Sequence, residues 1–546
     1  MNWSKIFNKI KNINPRQKEN KSKVYEVEDL DINEREDYVG KLKVEKKLKK
    51  NIETIKKVLG DSFDLNIRYV KSRKLKKKIA IVYLASVADT KGIEEIIESI
   101  KLSQNLEQLE RNNKKITNFI GYEVLENKDI NIKDNFSDIF HNLTTGSTII
   151  LIENTSEAIM CETKGFPTRN IQEPENEIVI RGSRDGFVEN IFTNMSLLRI
   201  RIRVPHLWFE NIQIGSLSKS NIVMGYIKGL ASEELVDEVK ARLEKIDIDT
   251  VLESGYIQEF IHDEPFTLFP LIDRTERPDR VTSCLVEGKV VILTSNTPFA
   301  LILPTMINHF LQAPDDYNEP FPVTSLLRIL RYIAFGLSIF LPGLYVAIIN
   351  FHPEFLPYPL LMRIIATREG VPFPVFIESL IMETIFEILR EAGLRLPMAI
   401  GSAVSIVGGL VVGEAAINAG LVSPPMVIIV ALTAIASFTT PSYAIGLSAR
   451  VLRFVVLFAG AAMGLFGIQF ISIIILIHLC SLRSFGQPYF QPFGPLMIQD
   501  IKDSIIRLPF WKLITRPKLI GGRDPQRERE NQKPKSPENP DRNKGD

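Results

Sequence analysis

The residues best placed to do chemistry in this 546-residue chain lie on PVFIESLIMETIFEILREAG, Pro374 to Gly393. At helical spacing Ser379, Glu383, Thr384, Glu387, Arg390 and Glu391 share one face. Ile381, Met382, Ile385, Ile388 and Leu389 lie largely opposite, while Phe376 and Leu380 intrude on the polar stripe and Glu378 falls off it. Such a helix can lie in a membrane interface. It can also cross the membrane with its polar face toward water or a protein partner. Periodicity does not choose between the two. Another carboxylate, Glu414, sits in a small-residue stretch from Met398 to Leu421, where Gly401, Gly408, Gly409, Gly413 and Gly420 allow close helix approach. It stands at a wet helix end, in an ion path or in a helix pair.

Two arginine- and aspartate-rich segments are the other concentrations of charge. RGSRDGFVEN contains Arg181, Arg184 and Asp185, and RTERPDR contains Arg274, Glu276, Arg277, Asp279 and Arg280. They read as ion-pair networks at a joint between subdomains, or as contacts with another subunit. Arginine clusters also bind phosphate, but no glycine-rich cradle accompanies these. No nucleophile, base and orienting group are grouped, and neither a Walker A sequence nor GxSxG occurs. The six histidines form no metal-ligand pattern. The expectation is a chain that is not an enzyme and uses no cofactor or metal. Cys161, Cys284 and Cys480 are odd in number and scattered, which fits a reducing compartment without a disulfide framework.

The elements that must position these residues begin with hydrophobic runs in the last third. Tyr332–Ile349 and Pro425–Leu447 carry no charge, and Phe454–Leu479 has only His478 as a titratable group. A spanning helix needs about 20 mainly apolar residues, so these runs mark an integral membrane protein in contact with the lipid bilayer. The averages hide it: net charge is +2 and mean hydropathy +0.04, because a charged first half offsets an apolar second half. Arg328 and Arg331 place the start of the first span on the cytosolic side. With residues 374–391 crossing there are five spans and an external basic tail, which the same rule disfavours. A re-entrant hairpin at 454–480, broken around Gly460 and Gly464 to Gly467, removes the conflict. The start, MNWSKIFNKIKNINPRQKENK, has no signal-peptide h-region, so the N-terminal region is expected in the cytosol. Its charges read as a solvated face, and no nucleic-acid partner is expected.

The first 320 residues contain an internal duplication. Ile81-Val82-Tyr83-Leu84 leads to Asp89 and a helix, as Met224-Gly225-Tyr226-Ile227 leads to Ser232 and a helix, each polar residue being a good N-cap. GSTIILIENTSEAIMCET (Gly146–Thr163) aligns without gaps to GKVVILTSNTPFALILPT (Gly288–Thr305), with Asn154-Thr155 and Asn296-Thr297 as matched strand-to-strand turns. SLLRI recurs at Ser196–Ile200 and Ser325–Ile329. The expected organisation is a charged extension and helix at 1–60, two α/β subdomains at 61–205 and 206–322, each ending in a helix, and a helical membrane domain at 323–482 of four to five spans, one of them re-entrant if the hairpin forms. An interfacial segment and a disordered charged tail follow at 483–546.

From about residue 40 to 500 the chain resembles the A subunits of the GerA family of spore germinant receptors. The resemblance rests on RGSRDGFVEN, DRTERPDRV, EGKVVILTSNTPFALILP, FHPEFLPYPLL, REGVPFP, REAGLRLP, GSAVSIVGGLVVGEAAINAGLVSPPMVIIVALTAIASFTTPSY and LRSFGQPYFQP. It implies residence in the inner membrane of bacterial endospores. It implies a B subunit similar to amino-acid transporters, thought to recognise the nutrient, and a lipoprotein C subunit. It further implies self-association into a homo-oligomer whose opening releases monovalent cations. On that basis copies of the charged helix surround a cation path with Glu383 and Glu387 facing it, since rings of carboxylates favour cations. The alternatives are a non-conducting scaffold subunit and an A-type paralogue acting with the dipicolinate-release machinery.

Overall fold

The computed structural model describes residues 38–70, 77–102, 113–125, 129–165, 173–174, 177–395, 413–520 and 524–534. The N-terminal start, Gly401, Gly408 and Gly409 of the small-residue stretch, and the end of the tail lie outside the described residues.

Two five-stranded sheets are built alike. In the first, β1 (Leu65–Val70), β2 (Ile79–Leu84), β3 (Ile130–Lys133), β4 (Ser147–Ile152) and β5 (Ala158–Glu162) lie in the order β1-β2-β4-β5-β3. In the second, β6 (Leu207–Ile214), β7 (Ser220–Ile227), β8 (Asp273–Thr275), β9 (Val290–Thr294) and β10 (Ala300–Leu303) lie in the order β6-β7-β9-β10-β8. Every adjacent pair in both sheets is antiparallel. The units are therefore α+β, not the α/β class with parallel strands that strands alternating with helices suggest.

Helices cover both faces, so β2, β4, β9 and β10 are buried along their whole length. The two-residue period of a strand sorts their side chains. Ala80 and Val82 face α1 (Leu48–Leu59) and α4 (Phe136–Thr144). Ile79, Ile81 and Tyr83 face α2 (Thr90–Leu102) and Ile116 of α3 (Asn113–Phe119). In the second unit α5 (Ile191–Arg201) and α8 (Pro278–Val286) cover one face, and α6 (Glu233–Glu244) and α7 (Ser254–Ile261) the other. Each unit thus opens with a helix. Two sequence boundaries need correction: α1 packs in the first core instead of belonging to an N-terminal extension, and α5 opens the second unit instead of closing the first.

Paired backbone conformations accompany the repeat. Gly146 and Gly288 adopt φ of 95° and 92°, and a Cβ there would lie 2.7 Å from Val87 O and 2.8 Å from Leu230 O. Only glycine fits both requirements. Asn154 and Asn296, with φ of 61° and 69°, turn the β4–β5 and β9–β10 hairpins, an αL conformation that asparagine tolerates.

The helical region holds α9 (Phe321–Phe351), α10 (Tyr358–Arg368), α11 (Val375–Arg395), α12 (Pro424–Phe438) and α13 (Tyr443–Ser481). Among the described residues, α9 and α13 are long and apolar enough to cross a membrane. At 1.5 Å per residue the 31 residues of α9 span about 46 Å. The 39-residue α13 is not one rod: Gly464, at φ 61° and ψ −143°, breaks it into two arms. The arms fold back on each other. A Cβ on Gly467 would lie 2.3 Å from Ala459 O, and Gly464 packs against Phe351 at the far end of α9. Near the other end of each arm, Ser448 donates to Leu268 O and His478 Nε2 lies 2.9 Å from Thr267 Oγ1. Both ends of the hairpin therefore meet one loop of the second unit.

Residues 483–520, expected as an interfacial segment, pack onto the second unit. Ser484 Oγ donates to Leu271 O at 2.7 Å, Phe485 enters the second unit's core, and the fully buried Tyr489 packs near Phe269 and Phe310. The first part of the tail is also ordered, with Arg527 N donating to Ile514 O at 2.7 Å and Arg516 paired to Asp524 at 3.0 Å.

Candidate functional site

The two arginine-rich segments meet. Arg277, buried at the start of α8, donates to Glu177 O at 3.1 Å and Ser183 O at 2.9 Å, and pairs with Asp279 at 2.6 Å. Arg280 bridges Glu177 and Asp273, each at 2.6 Å. Burial pushes the Asp273 carboxyl up, an effect the Arg280 charge only partly offsets. Asp185 pairs with Arg201 of α5, Glu276 is buried, and its carbonyl accepts from Phe187 N at 2.7 Å. The remaining arginines stay outside this knot. Arg184 makes an exposed pair with Glu173 at 3.3 Å, Arg274 lies over the Phe299 ring at 5.9 Å, and Arg181 O accepts from Asn318 at 2.6 Å. The segments thus tie the chain leading into α5 to the second sheet.

Two arginines that charge density did not single out are more deeply set. Arg199 is fully buried and grips Asp64 through Nε and Nη2, each at 2.9 Å, and its Nη2 donates to Ser62 Oγ at 3.0 Å. Ser86 donates to Asp64 at 2.6 Å. Burial would raise the Asp64 carboxyl, but the Arg199 charge and these hydrogen bonds outweigh it and hold it below the ordinary carboxylate range. Asp64 precedes β1 of the first unit and Arg199 stands on α5 of the second, so the pair clamps the units together. Trp208 Nε1, donating to Val58 O at 3.0 Å, and Phe63 N, donating to Phe209 O at 2.8 Å, lie at the same joint.

Arg328 repeats the device at the next joint. It is fully buried near the start of α9, with Nε 2.9 Å from Asp316 and Nη1 2.8 Å from Asp503. Arg331 adds a pair to Asp316 at 3.0 Å. Burial would raise Asp316, yet these two arginines hold it low. Asp316 follows the second sheet and Asp503 belongs to the C-terminal segment. Three parts of the chain converge on one side chain of the helix that continues into the bundle. Arg199 and Arg328 occupy the same place in the two SLLRI copies; that identity was the signal that could have found them.

The polar stripe of α11 turns inward. Ser379 and Glu383 are fully buried and Glu387 is about one-quarter exposed, while Ile381 and Ile388 point outward, Ile388 being 63% exposed. Thr384 and Glu391 depart from the stripe and lie exposed. Glu383 pairs with Arg453 of α13 at 2.7 Å. Glu387 lies 3.6 Å from Arg390, 3.6 Å from Arg453 and 3.9 Å from Arg450. The two glutamates expected to face an ion path therefore face arginines within one chain. Glu378, which falls off the stripe, is fully buried and binds Arg368 at 2.8 Å and Ser423 Oγ at 2.5 Å. Glu414 is exposed and outside the cluster.

Comparison with known proteins follows the same span. Residues 53–519 match the family described as Bacillus/Clostridium GerA spore germination protein. Spore germination protein KA of Bacillus subtilis (strain 168) is 43% identical over 495 residues, covering 89% of each chain. Spore germination protein B1 of the same strain is 37% identical over 87% of this chain and 98% of its own length. Spore germination protein GerLA of Bacillus cereus is 36% identical, with shares of 89% and 98%. The N-terminal domain of the A subunit of the Bacillus megaterium spore germinant receptor GerK3 is 29% identical, with a TM-score of 0.40 over 49% of this chain and 98% of that one.

Proposed function

The chain belongs to the GerA family of spore germination proteins, and from that premise we propose that it is the A-type subunit of a nutrient receptor in the spore inner membrane. The duplicated sheet domain is cytosolic and relays a binding event into the helix bundle. It works without catalysing a reaction, beside a transporter-like B subunit and a lipoprotein C subunit. Copies of the chain associate, and the bundle passes monovalent cations when nutrient is present.

The Arg328 clamp carries this reading. One buried guanidinium holds Asp316 and Asp503, so a shift of the second unit must move the base of α9. The outward apolar and inward polar faces of α11 suit a helix crossing the bilayer, where ionisable side chains turn toward the bundle interior. Glu383 and Glu387 then belong to a path that Arg453 and Arg450 keep shut until the bundle rearranges. Spores in which this chain is the A-type subunit test the proposal. Glu383→Gln/Glu387→Gln should change the rate or selectivity of nutrient-triggered cation release, normalised to the amount of chain in the membrane. Unchanged release removes the path from α11.

A second reading, a scaffold that does not conduct, draws on the same cluster. Three arginines face two glutamates there, and a net positive charge opposes cation passage. Cation-selective current from the purified chain in a planar bilayer separates the two readings.

A further inference from the structure

The charged cluster borders a cavity of about 210 Å³ that neither the repeat nor the cation path accounts for. Its polar lining comes from Ser338, Arg390, Ser437, Thr440, Ser442 and Arg450. Among the described residues, no carboxylate lines it. Arg390 is buried, with 8% of its side chain exposed, and lies between the Phe386 and Phe438 rings at 4.9 and 5.0 Å. One hydrogen bond, to Ser437 Oγ at 2.6 Å, holds it. Among the described residues, its Nε and the Nε of Arg450 find no acceptor. A guanidinium carries five N–H donors in a fixed fork, and an unmet buried donor costs free energy. The charges reinforce this. Arg390, Arg450 and Arg453 face Glu383 and Glu387, and only the Glu383–Arg453 pair is close, at 2.7 Å. Contacts to Glu387 from Arg390 and Arg450 are 3.6 and 3.9 Å.

The cavity also sits at the start of a long helix. Ser442 caps α13 without a side-chain bond to its first-turn amides, and Ser442, Tyr443 and Gly446 border the space. A helix N-terminus attracts negative charge. Ser448, further along the same arm, donates to Leu268 O, so the cavity lies at the end of the bundle facing the sheet domain. At ~300 Å³ and above a pocket takes drug-sized ligands; this one suits a small polar group.

We propose that this cavity is a phosphate-type oxyanion site, with Arg390 and Arg450 as paired donors and the Ser437, Thr440 and Ser442 hydroxyls completing the shell. The oxyanion is either an anionic lipid head group or a free phosphate. An occupant takes up the open Nε donors of Arg390 and Arg450. The site stands whether or not the bundle conducts.

The test uses the full chain purified in neutral detergent. One arm offers short-chain phosphatidylglycerol against phosphatidylcholine, read by native mass spectrometry. The other titrates inorganic phosphate, read by thermal shift. Retention of phosphatidylglycerol with at least about tenfold preference identifies a lipid source, and a saturable shift with phosphate alone identifies a free anion. Arg390→Gln/Arg450→Gln should abolish either response, while Arg450→Lys retains part of it. If the double variant fails to fold, the wild-type chain decides: the bound species should protect the more accessible Arg450, 17% exposed, from phenylglyoxal in a peptide map. Neither probe binding, a folded double variant binding as well as wild type, or no protection of Arg450 would overturn the assignment.

Discussion

Asp64→Ala removes the carboxylate from the clamp between the two sheet units and leaves Arg199 buried without a counter-charge. Both side chains are fully inaccessible, and the pair is bidentate with both contacts at 2.9 Å. Breaking such a pair from one side costs about 3–5 kcal/mol, because the stranded charge keeps its desolvation penalty. Replacing both partners with apolar residues costs much less, so Asp64→Leu/Arg199→Met should recover most of that loss. Arg184–Glu173, at 73% and 64% exposure, serves as an internal control. Its removal should change stability by about 0–1 kcal/mol. Trp208 reports the joint directly, since its indole bonds across it to Val58 O. With Trp3 and Trp511 replaced by phenylalanine, urea unfolding of the purified chain follows Trp208 fluorescence alone. A loss below about 1 kcal/mol for Asp64→Ala, the value of a surface pair, would refute the reasoning. So would a double variant no better than the single one.

Three further outcomes follow from the same geometry. Gly288→Ala should destabilise the second unit by more than about 1 kcal/mol, because its φ is 92° and the new Cβ meets Leu230 O at 2.8 Å; a melting temperature equal to wild type counts against it. His309 is held well below its ordinary range by burial and by the Lys289 and Arg280 charges. The unfolded chain therefore binds the extra proton first as pH falls below about 6.5, and stability should drop by about 1.4 kcal/mol per unit until the folded histidine protonates. His309→Gln should flatten that slope in melts between pH 7.5 and 5.5. Arg453→Gln strands Glu383, and its yield of folded protein in detergent should fall sharply, with Glu383→Gln/Arg453→Gln restoring it; equal yields for all three would show that the pair does not hold α11 to α13.

The duplication could be read from the sequence because local features carry it: turn asparagines, glycines at positive φ and strands of like pattern recur at matched spacing. Strand direction could not, since a buried strand has the same apolar run in a parallel or antiparallel sheet. The allegiance of α5 was hidden for a related reason. Ile191, Asn194, Met195, Ser196, Leu197, Leu198 and Arg199 are all buried, so no single apolar face points to one sheet. At the charged sites the residue types were visible and their partners were not. Arg199 finds Asp64 135 positions away, Arg328 finds Asp503 175 away, and Glu383 finds Arg453 70 away. A helical wheel identified the stripe on α11 but gave no account of what it meets. The reversal in α13 was legible as an excess of glycine, and Gly464 is where the backbone takes it.

The proposed coupling runs most directly through Arg328, the side chain where the second unit, the C-terminal segment and α9 converge. The decisive measurement is nutrient-triggered monovalent cation release from spores whose A-type subunit carries Arg328→Gln, with the membrane level of the chain checked by immunoblot. The expected result is a lower amount of protein, because the change strands Asp316 and Asp503, and a nutrient response that is lost even after normalising to the protein that reaches the membrane. Cation release at the wild-type rate after the same normalisation would contradict the coupling.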